Sequence, residues 1–209
     1  MPKKEGKPLS VNTIYHIWRG HNHKRQLHLL DNDFFGQPED QWRARLDEIR
    51  TGNFAVCFNQ GLNIRLITEA TAEALSTVRY RDDSFKRRRL YTAWDNLKDE
   101  GVFFRGVDTL QRAGIQPRHL MAYMLVGYDP RETMDSVLYR FHRMTALGIR
   151  PYPMVYDRSK TVLRHFQRWA NTGLYRAVKW EDYVPNARAH QVPAKGELPL
   201  FSAALANAA

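Results

Sequence analysis

The 209-residue chain has a single cysteine, Cys57. One thiol excludes an intrachain disulfide, and it excludes any zinc or iron–sulfur site whose several thiolate ligands all come from this chain. A reducing, cytoplasmic setting is the simplest expectation. Long hydrophobic runs are missing too: nothing approaches the ~20 apolar residues of a membrane helix, and the basic start MPKKEGKP has no apolar segment behind it. Neither a membrane span nor a signal peptide is therefore expected. No low-complexity block is long enough to link two domains. Acidic side chains are the minority, 22 against 32 Lys and Arg, giving a formal charge of +10. That balance favours phosphate-bearing partners without establishing one.

An apolar content of 43%, with 12% aromatics, suits one packed domain. Its organisation shows in five short apolar runs, each stopping at a polar cluster: LHLLDND (27–33), AVCFNQG (55–61), LYTAWDN (90–96), AYMLVGYDPRE (122–132) and YPMVYD (152–157). Helical stretches separate them, so the runs are expected to be parallel strands buried on both faces. Their polar tips then gather at one rim, the edge at which α/β sheets and barrels bind ligands.

Residues 1–9 are expected to form a basic N-terminal segment. Ser10 can cap a first helix carrying Val11, Ile14, Tyr15 and Trp18 on one face. Trp42, Leu46 and Ile49 predict a helix after Pro38, and 69–78 predicts one burying Ala70, Ala74, Leu75 and Val78. A further helix over 102–113 ends at Gly114. Asp129 and Pro130 fit the N-cap and first position of the next, which buries Met134, Val137, Leu138, Phe141 and Met144 and stops at Gly148. Pro151 and Pro153 mark the last strand as an edge or irregular. A closing helix from about Lys160 carries Val162, Phe166, Trp169 and Ala170. The domain is expected over 10–183, with a flexible tail over 184–209. The order is a helix followed by five strand–helix pairs. A leading helix with no strand of its own predicts a strand missing upstream.

The succession LLDNDFFGQ, FNQGLNIRL, YTAWDN, YMLVGYDPRET and RPYPMVYD, across residues 9–158, resembles strands two to six of radical S-adenosylmethionine (radical SAM) enzymes, especially the branch related to cobalamin-binding members. The resemblance implies a partial (β/α) barrel of about five parallel strands with outer helices, lacking the first strand of that barrel. It also implies S-adenosylmethionine (SAM), a four-iron four-sulfur cluster held by C-x-x-x-C-x-x-C, a reductant protein and an unknown substrate. The cysteine motif is absent from this sequence. Because the cluster delivers the electron that cleaves SAM to a 5′-deoxyadenosyl radical, a truncated or inactive form is the expectation, with no reductive cleavage by this chain alone.

Under the resemblance, Asp31, Asn32 and Asp33 stand where the family carries a Gly-Gly-Glu-like motif that meets the methionine ammonium. Carboxylates and an amide suit that role, with a cap of the turn before FFGQ by Asp33 or Asn32 as the competing assignment. Gln60 and Arg65 follow the next strand; Arg65 can fork onto the methionine carboxylate or hold a helix terminus. Asp95 looks like the acceptor for ribose hydroxyls, with a helix N-cap as the competing assignment. Gly127 and Glu132 resemble the fifth-strand motif near adenine, and Glu132 could instead complete a cap with Asp129. Tyr156 and Asp157 could face substrate. Three other features compete for attention. His16, His21 and His23 match no strong metal template. Lys86–Arg89, with Arg79 and Arg81, could hold phosphate, so a basic nucleic-acid-binding protein is the alternative function. ELPLF (197–201) loosely resembles the peptide that docks on DNA sliding clamps.

Overall fold

Gly, Pro and polar turns divide the chain into short elements that pack as a parallel α/β structure. The computed structural model describes residues 13–185 apart from positions 19 and 21. Its elements are α1 (Ile14–Ile17), β1 (Gln26–Leu29), α2 (Glu39–Thr51), β2 (Ala55–Phe58), α3 (Glu69–Ser76), β3 (Arg79–Tyr80), β4 (Leu90–Ala93), α4 (Glu100–Arg112), β5 (Leu120–Val126), α5 (Met134–Ala146), β6 (Arg150–Val155) and α6 (Thr161–Asn171). Two parallel sheets result, ordered β1-β2-β3 and β4-β5-β6. Parallel neighbours need long crossovers, which the helices supply.

The α/β class agrees with the sequence, but six strands in two sheets stand where about five in one wall were expected. The additional strand, β3, is a short one ahead of the third expected strand, which forms as β4. Arg79–Tyr80 pairs with β2, and residues 81–89 then leave the sheet as a loop before the chain resumes as β4 beside β5. Asp82 holds that loop: its carboxylate accepts from Ser84 Oγ (2.9 Å) and from the backbone N–H groups of Lys86 (2.9 Å) and Arg87 (3.3 Å). The sheets meet where Leu62 N–H donates to the Tyr91 carbonyl at 2.7 Å.

The helices form where capping and periodicity coincide. In α2, Glu39 and Asp40 sit in the positive first turn, and Trp42, Leu46 and Ile49 recur at i, i+4 and i+7 to face the core. The α5 N-terminus differs from expectation. Asp129 spends its carboxylate on Arg131 N–H (2.9 Å), and the helix instead starts after Thr133, in a reciprocal capping box with Ser136. Gly114 and Gly148, at φ +88° and +78°, close α4 and α5 as expected. Ile115 N–H reaches the Leu110 carbonyl and Ile149 N–H that of Met144, which satisfies orphan acceptors. In α6 the buried stripe is Leu163, Phe166, Trp169 and Ala170, whereas Val162 is 47% exposed. Of the expected first helix only one turn, capped by Thr13, is described. Ser10 and Val11 lie outside the described residues, as do the basic segment 1–9, His21, ELPLF and positions 186–209 of the expected tail.

The strands are also less symmetric than expected. β2 is buried throughout, but β5 alternates, with Leu120, Ala122, Met124 and Val126 buried against helices and Met121, Tyr123 and Leu125 half-buried on the other side. Val56 and Phe58 of β2 join the helix-side core. Cys57 therefore points with Tyr123 toward a concave face, because side chains alternate along a strand.

Gly106 sets the approach of α4. A Cβ there would lie 2.6 Å from both Ile64 Cγ1 and the Ile64 carbonyl oxygen. In an open helix Gly→Ala adds up to about 1 kcal/mol, but here the clash is with backbone. Gly106→Ala should lower unfolding stability by about 1–2 kcal/mol. Gly101→Ala, whose Cβ meets only Arg105 Nη1 at 3.9 Å, should leave it unchanged or raise it. Urea melts of the two variants check the opposite signs.

Candidate functional site

The C-terminal ends of the strands are organised by an arginine buried in α5. Arg140 has 0% exposure and stands at i+3 from Val137, inside the apolar stripe that Phe141 and Met144 continue. Its Nη1 donates to the carbonyls of Trp94 and Asp95, both at 2.9 Å, and its Nη2 donates to the Leu125 carbonyl at 3.0 Å and to Glu132 Oε1. Burial pulls its pKa down, while Glu132 and Asp95 favour the charged form. Glu132 completes the clasp by accepting from Gly127 N–H at 2.6 Å. One guanidinium thus ties the ends of β4 and β5 to the start of α5.

Around this clasp the structure sorts the sequence candidates. Asn32, Gln60, Arg65 and Asp95, from three different strand ends, line one cavity of about 260 Å³. Asp95 Oδ1 accepts from Leu125 N–H at 2.8 Å, which fixes the carboxylate at the cavity wall instead of capping α4. Arg65 pairs through Nη2 with Asp99 at 2.9 Å, so it does bridge to a helix start, and its remaining guanidinium N–H groups have no other partner among the described residues. Gly61 turns the backbone at φ +87°, and a Cβ there would sit 3.1 Å from the Tyr91 carbonyl oxygen. Only glycine meets both conditions comfortably. The hydroxyl of Thr92, a residue 4% exposed that also lines the cavity, makes no hydrogen bond among the described residues. A buried hydroxyl without a partner is costly and is satisfied when a polar ligand enters.

The other candidates are not in that cavity. Asp33 caps the short 3-10 turn Phe34–Gly36 by accepting from Gly36 N–H at 3.1 Å, the turn assignment left open by sequence. Asp31 accepts from Gln37 Nε2 at 3.4 Å. Gly127 and Glu132 belong to the Arg140 clasp, not to a cap with Asp129. Asp157 accepts from Ser159 N–H and Oγ at the start of the last helical segment, and the exposed Tyr156 ring packs edge-on to Tyr128 at 5.0 Å.

Sequence reasoning passed over Arg140 and the tyrosines of the concave face. The signal for Arg140 was present: a cation at i+3 within a helical apolar stripe cannot face water and must find partners. For the tyrosines there was half a signal. Tyr123 and Tyr152 are paired across β5 and β6, and Tyr91, paired with Met121, lies two residues off Tyr123 on the same face, but register is not visible in one strand. Tyr91 and Tyr123 stack at 6.1 Å, and Tyr152 meets Tyr123 edge-on at 5.6 Å.

The donor set does not suit an iron–sulfur cluster. Cys57 is one buried thiol, and burial, helped by Asp83 and then Asp82, raises its pKa to about 11. It is held as the protonated thiol, whereas a cluster takes several thiolates. Among the described residues no group of three or more His, Cys, Asp or Glu could hold a metal, and no helix is long and apolar enough to cross a membrane.

The clasp itself is testable by thermodynamic cycle. Arg140→Met leaves Glu132 as a buried, unpaired charge and strands three carbonyls, and should cost about 3–5 kcal/mol. Adding Glu132→Gln should restore part of that loss, because the uncompensated charge is gone; strictly additive losses in urea melts would count against the clasp. Comparison with known proteins adds no relative: no family model matches the chain, and neither a curated protein nor a solved structure matches it significantly.

Proposed function

We propose that this chain is the body of a radical-SAM-type domain and that the rim cavity binds S-adenosylmethionine. The observation that carries this reading is the convergence of Asn32, Gln60, Arg65 and Asp95, each assigned to the cofactor by resemblance, on one cavity that Thr92 also lines. In this reading the two sheets are successive parts of one curved wall, a partial (β/α) barrel in which β3 is a short addition ahead of β4. The bond from Leu62 N–H to the Tyr91 carbonyl carries pairing from one sheet to the other.

The chemistry of the cavity suits the proposed ligand. Amide oxygens of Asn32 and Gln60 accept from an ammonium, and the unused N–H groups of Arg65 meet a carboxylate. Asp95, oriented by Leu125 N–H, accepts from ribose hydroxyls, and Thr92 takes one further polar contact. Phe103, at the wall of the same cavity, supplies apolar surface. SAM, when bound, brings an activated sulfonium. The residues of this chain bind and orient it, and they hold no thiolate set for the cluster that reductive cleavage requires. We therefore assign binding, not turnover, to this chain alone.

Isothermal titration of the chain with SAM should give saturable binding without iron or reductant. Asp95→Asn and Arg65→Ala should each weaken it about ten-fold, the value of one charge-assisted hydrogen bond, while Asp157→Asn should not. Absence of binding, or equal affinity in all variants, would contradict the proposal.

A further inference from the structure

On the concave side lies a second and larger cavity, of about 570 Å³, which no proposed SAM contact uses except that Tyr123 borders both. Four cations, Lys86, Arg87, Arg89 and Arg150, and two carboxylates, Asp82 and Asp83, line it. The cations therefore outnumber the carboxylates in the lining. Among the described residues none of the four cations has a carboxylate within ion-pair distance.

Two of these guanidiniums are held in place by backbone. Arg89 Nη1 donates to the carbonyls of Leu120 (3.1 Å) and Arg118 (3.4 Å), and Arg150 Nη2 donates to that of Asn171 (3.4 Å). They lie close enough that burial and the Arg150 charge together depress the Arg89 pKa. Two like charges positioned by neutral carbonyls, with no carboxylate in ion-pair contact among the described residues, are organised for an anion that is not part of the described chain. Arg87 and Lys86 project from the loop that Asp82 holds through three hydrogen bonds, so the loop needs no ligand to keep its shape. Burial disfavours the Asp82 charge, but those hydrogen bonds and Arg89 outweigh it and keep the pKa below the ordinary value.

The opposite wall is aromatic. Tyr91, Tyr123 and Tyr152 form a continuous surface across three strands, and the hydroxyls of Tyr123 and Tyr152 have no hydrogen-bond partner among the described residues. Asp83 lies on this side, where its charge helps to raise the pKa values of Cys57, Tyr91 and Tyr123 behind the leading effect of burial. Its carboxylate is thus an acceptor beside a π-surface. Cations at one end, with stacking faces and an acceptor at the other, match the two halves of a nucleotide.

We infer that the concave cavity binds a nucleotide unit, with the phosphate on Arg89, Arg150 and Arg87 and the base against Tyr123 and Tyr152 within reach of Asp83. The unit can belong to single-stranded nucleic acid or be a free nucleotide, since the recognising chemistry is the same. The inference goes beyond the SAM proposal and does not depend on it. The shared border at Tyr123 puts the two ligands side by side if both bind.

The test is fluorescence anisotropy of a labelled, mixed-sequence single-stranded oligonucleotide with the full chain, in the absence of SAM and metal. Binding should weaken as salt rises. Arg150→Gln and Arg87→Ala should each weaken it about ten-fold and lower the log–log salt slope by about one. Tyr152→Leu should weaken it about ten-fold with the slope unchanged, because stacking releases no counterions. Circular dichroism melts matching the parent identify variants that are folded, and Arg87→Ala, on a loop held by Asp82, serves if Arg150→Gln is not. Displacement of the label by a nucleoside monophosphate assigns the site to free nucleotides, and displacement only by unlabelled oligonucleotide assigns it to nucleic acid; either supports the inference. Parent-like binding by Tyr152→Leu and both arginine variants overturns it. So does equal competition by inorganic phosphate and nucleoside monophosphate, which would reveal a simple anion patch.

Discussion

A charge that cannot reach water governs this molecule. Removing a guanidinium from solvent costs several kcal/mol, and the cost is offset only if nearly all its donors find acceptors in good geometry. Arg140 meets that condition with the carbonyls of Trp94, Asp95 and Leu125 and the carboxylate of Glu132. Each partner is thereby constrained in turn. The ends of β4 and β5 are held at a fixed separation. Residues 127–132 must remain a loop so that Glu132 can reach back to Gly127 N–H, which is why α5 is capped by Thr133 and not by Asp129.

From this constraint follow the two cavities. With β4 and β5 fixed, Asp95 faces the rim and is bound to Leu125 N–H, while Tyr91, Tyr123 and Tyr152 form an aromatic surface on the concave side. Tyr123 borders both spaces. The segment from β3 to β4 contributes to both as well. β3 pairs with β2, β4 carries Thr92 to the rim, and the loop between them delivers Lys86, Arg87 and Arg89 to the concave cavity. The loop that joins the two sheets is what brings cations to a tyrosine wall.

The parts of this arrangement legible in sequence were those set by local rules. Apolar runs ending in polar residues gave all the long strands, and spacing at i, i+4 and i+7 gave α2. The glycines after α4 and α5 were visible as stops because a left-handed residue ends a helix at little cost. Less legible were competitions between local rules. Asp129-Pro130 and Thr133-x-x-Ser136 are both acceptable starts for α5, and only the demand of Arg140 for Glu132 decides between them. Pairing of Asp33 with Gly36 and of Arg65 with Asp99 was anticipated as an alternative at each site, but the choice required knowing what lay across the chain. The split of β3 from β4 and the alignment of three tyrosines depend on register between strands, which single-sequence periodicity does not encode.

The central claim is that the rim cavity held by the Arg140 clasp receives SAM. Amide hydrogen exchange of the chain with and without SAM tests it most directly, because the response is read residue by residue. Slower exchange confined to 60–65 and 93–97, with 82–89 unchanged, is the predicted result. Protection elsewhere, or none at ligand concentrations that saturate binding, would contradict it.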